Sequence, residues 1–174
     1  MKTATSLPPV HSGHWPRYLP HYWQRLVRAA SHAVLARQKL APTQLLGRQG
    51  EEEAYWHLRD QGFVMVERNY RPEGLRAEID LIGWERDVLV FVEVKTRRRT
   101  DVLMPEAAVD LEKERNVIAA SREYRKRSRL GTKPYRFDIV SLVAADEMGA
   151  GATGPEFELK HYRDAFRDHR GSND

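Results

Sequence analysis

Glu93 and Lys95 stand two residues apart in Val88-Leu-Val-Phe-Val-Glu-Val-Lys95, the most apolar stretch of the sequence. In an extended chain, residues two apart project from one face. A carboxylate and an ammonium therefore sit side by side at the end of a strand, where charges are costly to desolvate unless paired or bound. Asp80 lies in Ala77-Glu-Ile-Asp-Leu-Ile82. Asp80 and Glu93 are symmetric about Arg86 and Asp87, so a hairpin turning there sets the two carboxylates opposite each other, with Cβ atoms about 5 Å apart. At that separation they repel. One resolution is a hard divalent cation, Mg²⁺ or Mn²⁺, held by Asp80, Glu93 and the backbone carbonyl of Val94, with waters and a substrate phosphate as further ligands. Lys95 would then orient or deprotonate an attacking water, or neutralise charge developing on phosphorus. The other resolution is an ion pair of Lys95 with Glu93 or Asp80. The acid-x-Lys pattern alone does not choose between them; the hairpin context favours the metal.

The elements that must position these residues follow from periodicity and breakers. A helix is expected over His21–Leu40, with Tyr22, Leu26, Ala29, Ala30, Ala33 and Val34 on one face. Packing on the body is its expected use, against the alternatives of an acidic partner or a membrane surface. Pro42 stops it and Thr43 is placed to cap a second helix, which runs to about Gln61 with Gly62 as its stop. Leu46, Ala54 and Leu58 mark that helix's inner side. Phe63–Val66 reads as a strand and the segment 77–82 as a half-buried strand. Trp84–Asp87 is a turn. Val88–Lys95, apolar on both faces, is a central strand covered on both sides. A loop after Arg99 leads to a long helix over Pro105–Arg127, with Ala107, Ala108, Leu111, Val117, Ile118 and Ala119 inside. Gly131, Thr132 and Pro134 break it. Tyr135–Val143 is another strand, Met148–Pro155 a flexible loop, and Phe157–His161 a last short strand. The order predicts an α/β domain with a mixed sheet and helices on its faces. Its parts are a basic arm with a helix over 1–41, a main domain over 42–168 and a tail over 169–174.

Composition excludes several functions. With no cysteine among 174 residues, there is no thiol nucleophile, Cys-ligated zinc, iron–sulfur cluster or disulfide framework. No run of about 18 apolar residues predicts a membrane span. Pro8, Pro9, His11, His14 and Pro16 interrupt any signal-peptide core, so the cytoplasm is the expected compartment. Residues 1–41 hold six basic side chains and no acid, a basic arm that would add salt-dependent affinity for a polyanion. Residues 95–136 carry 13 basic groups against 6 acidic ones. Such an excess attracts phosphate backbones, although a solvated basic face is the commoner cause.

Gly47-Arg-Gln-Gly-Glu51 with Ala54, Glu67-Arg-Asn-Tyr-Arg71, Glu78-Ile-Asp-Leu-Ile82 and Val90-Phe-Val-Glu-Val-Lys-Thr-Arg97, in that order, closely resemble the YraN-type family of small bacterial proteins. Pro105–Val109, Lys113 and Arg136-Phe-Asp138 extend the resemblance over roughly 45–165. The family resembles the restriction-endonuclease-like PD-(D/E)xK superfamily and archaeal Holliday-junction resolvases. The resemblance implies a mixed sheet of about four to five strands flanked by helices. It also implies a divalent-metal nuclease site matching Glu51, Asp80, Glu93 and Lys95. Two positions depart from the pattern: Ala77 stands where Gly is usual, and Val102-Leu-Met104 where a Phe-Gly pair is usual.

Glu51 is expected to complete the site, the alternative being helix-dipole stabilisation or surface solvation. With Ala54, Tyr55 and Leu58 it falls on one helix face, turned away from Arg48, while Glu52 and Glu53 are expected on the surface. Arg97, Arg98 and Arg99 would lie near a bound phosphodiester or form a solvated turn. Lys113 would touch substrate or lie on the surface, and Glu78 would support the metal or be solvent-exposed. Asp138 is expected to pair with an arginine, and His11, His14, His21 and His32 have no metal spacing. The expected function is a metal-dependent DNA endonuclease acting on branched or single-stranded DNA, with a homodimer as the expected assembly. The alternative is a nucleic-acid-binding accessory protein of the same fold without turnover.

Overall fold

The computed structural model describes residues 21–37, 39–100, 111–145 and 155–168. Its elements are α1 (His21–Ala36), α2 (Pro42–Asp60), β1 (Val64–Tyr70), β2 (Ile79–Glu85), β3 (Val88–Arg98), α3 (Leu111–Arg127), β4 (Tyr135–Ala144) and β5 (Phe157–Phe166). The five strands make one mixed sheet in chain order, β1-β2-β3-β4-β5. β1, β2 and β3 form an antiparallel meander, β4 runs parallel to β3, and β5 returns antiparallel to β4. The expected mixed sheet flanked by helices is the observed architecture. The segments 101–110 and 146–154, the arm before His21 and the tail after Asp168 lie outside the described residues, and with them Val102–Met104, Pro105–Val109, Ala107, Ala108, His11 and His14.

β3 is covered on both faces, as its uninterrupted apolar run requires. One core gathers Leu81, Val90, Val92, Val140 and Leu142 under Ala54 and Leu58 of α2. The other gathers Ile82, Leu89, Phe91 and Phe137 under Val117, Ala120 and Tyr124 of α3. β2 is not half-buried as its alternation suggested. Ile79 to Gly83 are all buried, because the two helices cover both of its faces.

Chain punctuation explains the helix ends. α2 begins with Pro42 in its first turn and Ala41 as N-cap, where the Gln44 side chain accepts from the Ala41 N–H at 3.4 Å. Thr43 is therefore inside the helix and is not its cap. Gly62 ends α2 at φ +89°, with Gly62 N–H donating to Arg59 and Phe63 N–H to Leu58. That paired closure needs a left-handed residue, which glycine adopts without strain.

α1 does lie against α2, and the side chains of Tyr22 and Leu26 lie outside the described residues. Arg28 pairs with Glu53, whereas Ala29, Ala30, Ala33 and Val34 are exposed. Leu111 is likewise exposed at the start of α3. β5 spans ten residues where five were expected, because alternate positions face solvent and give a weak apolar signal.

Gly50 shows how closely α2 approaches β3. A Cβ built there would lie 2.0 Å from Thr96 Oγ1 and 2.9 Å from Thr96 Cβ. Gly50→Ala is expected to destabilise the protein by ~1–3 kcal/mol, the usual cost of overpacking a close contact. Urea denaturation measures it; an unchanged midpoint would mean the helix shifts without cost.

Candidate metal centre

The hairpin places the two acids as their spacing implied. Leu81 pairs with Val92 and Ile82 with Phe91 about the turn at Arg86–Asp87, and this register sets Asp80 opposite Glu93. Arg86 takes φ +53° in that turn. By strand alternation Asp80 and Glu93 project to the face covered by α3. Both are buried, at 8% and 7% exposure. Asp80 Oδ2 accepts the Val94 N–H at 2.7 Å, and the Glu93 side chain hydrogen-bonds Asp80.

α3 adds a cation. The Lys113 ammonium stands 3.4 Å from Glu93 Oε2, close enough for an ion pair, yet that buried oxygen accepts no hydrogen bond. Burial raises the Glu93 carboxyl, Asp80 raises it further, and Lys113 only partly offsets them, so it is pushed up to about 8. Burial also raises Asp80, against the hydrogen bond from Val94. Burial pulls the Lys113 ammonium down, but Glu93 and Asp80 outweigh it and hold it above its usual value. Lys95 shares the face of Glu93 and acts on it through space, but the ion pair sent to Glu93 comes from α3. Lys113 was legible as a site residue: Lys113, Val117, Ala120 and Tyr124 are spaced along one helix face, and the last three are buried.

Glu51 is half-buried on the face that also carries Ala54 and Leu58, both fully buried. Burial first, then Asp80, raises its carboxyl, so it lies within electrostatic reach of the acid pair. It does not turn away from Arg48: the guanidinium bonds Glu51 Oε2 at 3.1 Å and Asn69 Oδ1 at 3.0 Å. Residues three apart share a helix face. Glu52 is not on the surface either. It is 5% exposed, accepting from Trp56 Nε1 and Arg68, both at 2.7 Å. Glu53 is half-buried against Arg28.

Glu78 pairs with Arg71 at 2.7 Å beside this site. Arg97 and Arg98 extend β3 opposite Val143 and Ala144, and so are neither loop nor turn. Arg97 shares the Glu93 face by alternation, Arg98 takes the other, and exposed Arg99 stands 3.9 Å from Glu158 of β5. Asp138 pairs with Arg136 as expected; it stands opposite Val92, and by alternation it projects to the face away from Glu93. The side chains of His21 and His32 lie outside the described residues.

A hard divalent cation suits this donor set: two facing carboxylates, one with a buried oxygen lacking a hydrogen bond. Among the described residues no group of three His, Asp or Glu forms a ready cage, so remaining ligands would be backbone oxygen, water and substrate.

Residues 50–142 match the uncharacterised protein family UPF0102. The chain belongs to this family. A UPF0102 protein of Solibacter usitatus is 48% identical over 97 residues, 56% of this chain and 74% of that relative. Relatives from Chlorobium phaeobacteroides and Rhodococcus opacus are 37% and 36% identical over 121 residues, 70% of this chain and 93% and 95% of theirs. The UPF0102 span takes in Glu51, Asp80, Glu93, Lys95, Lys113 and Asp138, and it leaves out α1 and β5. It is the family to which the YraN-type resemblance pointed.

Proposed function

We propose that this UPF0102 protein is a divalent-metal-dependent endonuclease that hydrolyses phosphodiester bonds in branched or single-stranded DNA. The observation that carries the reading is the pair Asp80 and Glu93, buried face to face, with Glu93 Oε2 lacking a hydrogen bond. A fold gains nothing from crowding two acids away from water, whereas metal-assisted hydrolysis needs that arrangement. Mg²⁺ or Mn²⁺ would supply Lewis acidity and an acidified water there. Asp80 is fixed by the Val94 N–H, so its other oxygen keeps one direction. Lys95, on the same face, is placed to hold the attacking water or the charge growing on the phosphate oxygens. In hydrolysis a water oxygen bonds to phosphorus as one phosphorus–oxygen ester bond breaks and the leaving oxygen takes a proton.

The basic arm over 1–41 would add electrostatic affinity, and Arg97, Arg98 and Arg99 would meet the backbone beyond the strand end. Among the described residues no helix is long and apolar enough to cross a membrane. The reading places the protein in the cytoplasm with DNA as its partner, and a homodimer would bring two sites to two strands. The test is incubation with labelled branched and single-stranded DNA in Mn²⁺, with and without chelator. Chelator-sensitive cleavage supports the nuclease. Binding without cleavage in every metal would leave the accessory, non-catalytic protein.

Glu51→Gln is expected to lower cleavage by about 100-fold, the upper end of what losing a supporting carboxylate costs. The matched control is Glu53→Gln, since Glu52 is tied into the α2 packing. Equal activity of the two variants at equal thermal stability would assign Glu51 to a purely structural pair with Arg48.

A further inference from the structure

Beside the acid pair lies a cleft of about 340 Å³ lined by Arg71, Leu75, Arg76, Ala77, Glu78, Lys113 and Asn116. Three of these side chains are cations, one is an acid and one an amide. Two of the cations are already engaged: Arg71 with Glu78 at 2.7 Å, and Lys113 with Glu93 at 3.4 Å. Arg76 is exposed on the wall and makes no ion pair among the described residues. Lys113 is the one member that belongs to both places, since it lines the cleft and faces the buried carboxylate.

We infer that this cleft is a phosphate-binding groove for the nucleic-acid backbone, and that Lys113 is withheld from it by Glu93 until a divalent cation takes that carboxylate. The inference rests on the nuclease reading of the same site. Glu93 Oε2 accepts no hydrogen bond, and the ammonium lies beside it as a point charge on a flexible stem. A cation at Asp80 and Glu93 removes the attraction that holds Lys113 there. The side chain is then released toward the groove it already lines. Arg76 contributes to the groove whether or not metal is present. Ala77 adds a methyl group to the wall and no charge. In this arrangement metal binding and backbone binding support each other through a single side chain, and by linkage each ligand raises the affinity for the other.

The test reads binding, not turnover. Fluorescence anisotropy of the full-length protein with a labelled single-stranded oligonucleotide is measured in EDTA and in Ca²⁺, a hard cation with the same preference for oxygen. Wild type is expected to bind ~10-fold more tightly in Ca²⁺, the worth of one charge-assisted hydrogen bond. Lys113→Met should lose that gain, binding no more tightly in Ca²⁺ than in EDTA. Lys113→Arg, which keeps the charge, should retain it, and Arg76→Gln should weaken binding in both conditions while leaving the gain intact. If the gain came only from neutralising the acids' repulsion of DNA, Lys113→Met would keep it in full, and the inference would be overturned. Equal binding by wild type and Arg76→Gln would overturn the groove. Wild-type cleavage in Mn²⁺ is scored separately. A cleaving wild type whose Lys113→Met variant retains the gain overturns this inference alone. A wild type that neither cleaves nor responds to Ca²⁺ overturns the nuclease reading with it.

Discussion

Glu93→Gln is expected to lose Mn²⁺-dependent cleavage by ~10³-fold or more, since each ~1.4 kcal/mol of transition-state stabilisation is a factor of ten and a metal supplies several. The same variant is expected to be as stable as wild type or more so without metal. A glutamine keeps the side chain's shape, its amide can hydrogen-bond Asp80, and it carries no charge to repel that carboxylate. The two measurements together separate a metal ligand from a structural residue. If Glu93 served only to pair with Lys113, its removal would lower the melting temperature and leave cleavage alone. Cleavage within about tenfold of wild type would remove Glu93 from the chemistry.

The second large effect lies in a network on the opposite face of the sheet, where Asp138 of β4 pairs with Val92, the neighbour of Glu93. Asp138 is fully buried in β4, where the β4–β5 register slips between Phe137 and Ile139. It is gripped by Arg136 at 2.8 and 2.9 Å, by His161 Nε2 at 2.9 Å and by the Asp164 N–H at 2.9 Å. Arg136 also reaches Glu85 of β2 at 2.8 Å, and Arg163 of β5 joins the same carboxylate. Asp138→Asn is expected to destabilise by ~1–3 kcal/mol, because it removes the buried charge that Arg136, His161 and the Asp164 N–H share and leaves Arg136 with Glu85 alone. Burial alone would raise the Asp138 carboxyl, but the bonds from His161, Arg136 and Asp164 outweigh it and hold it at about 2. Because the folded value is the lower one, the stabilisation is present above the ordinary value of 3.8 and is lost as pH falls from there toward about 2. Urea midpoints for wild type should fall over that window, and Asp138→Asn should lack that component. Parallel pH profiles would show that Asp138 is not the group responsible.

Asp80 and Glu93 were legible because a two-residue turn and an alternating strand fix a register, and a register fixes which side chains meet. Asp138 was legible because an acid on an apolar strand two residues from Arg136 has an evident partner. Glu52 was not: three consecutive glutamates look alike until Trp56, one turn on, and Arg68, on a different element, select the middle one. Arg76 carried no sequence signal, since its place depends on how the chain between β1 and β2 folds against α3. The length of β5 was hidden because a strand wet on one face alternates too weakly to be seen.

The order of the sheet has a consequence for synthesis. Each strand pairs with the one made just before it, so the sheet can be laid down as the ribosome delivers it, without a strand having to insert between two earlier ones. α1, α2 and the β1–β3 meander emerge before α3, and they already carry Glu51, Asp80 and Glu93. The face bearing Asp80 and Glu93 stays open to water until α3 emerges and closes over it. The nascent chain therefore meets the desolvation of its two acids late, at the step that also brings Lys113 beside them.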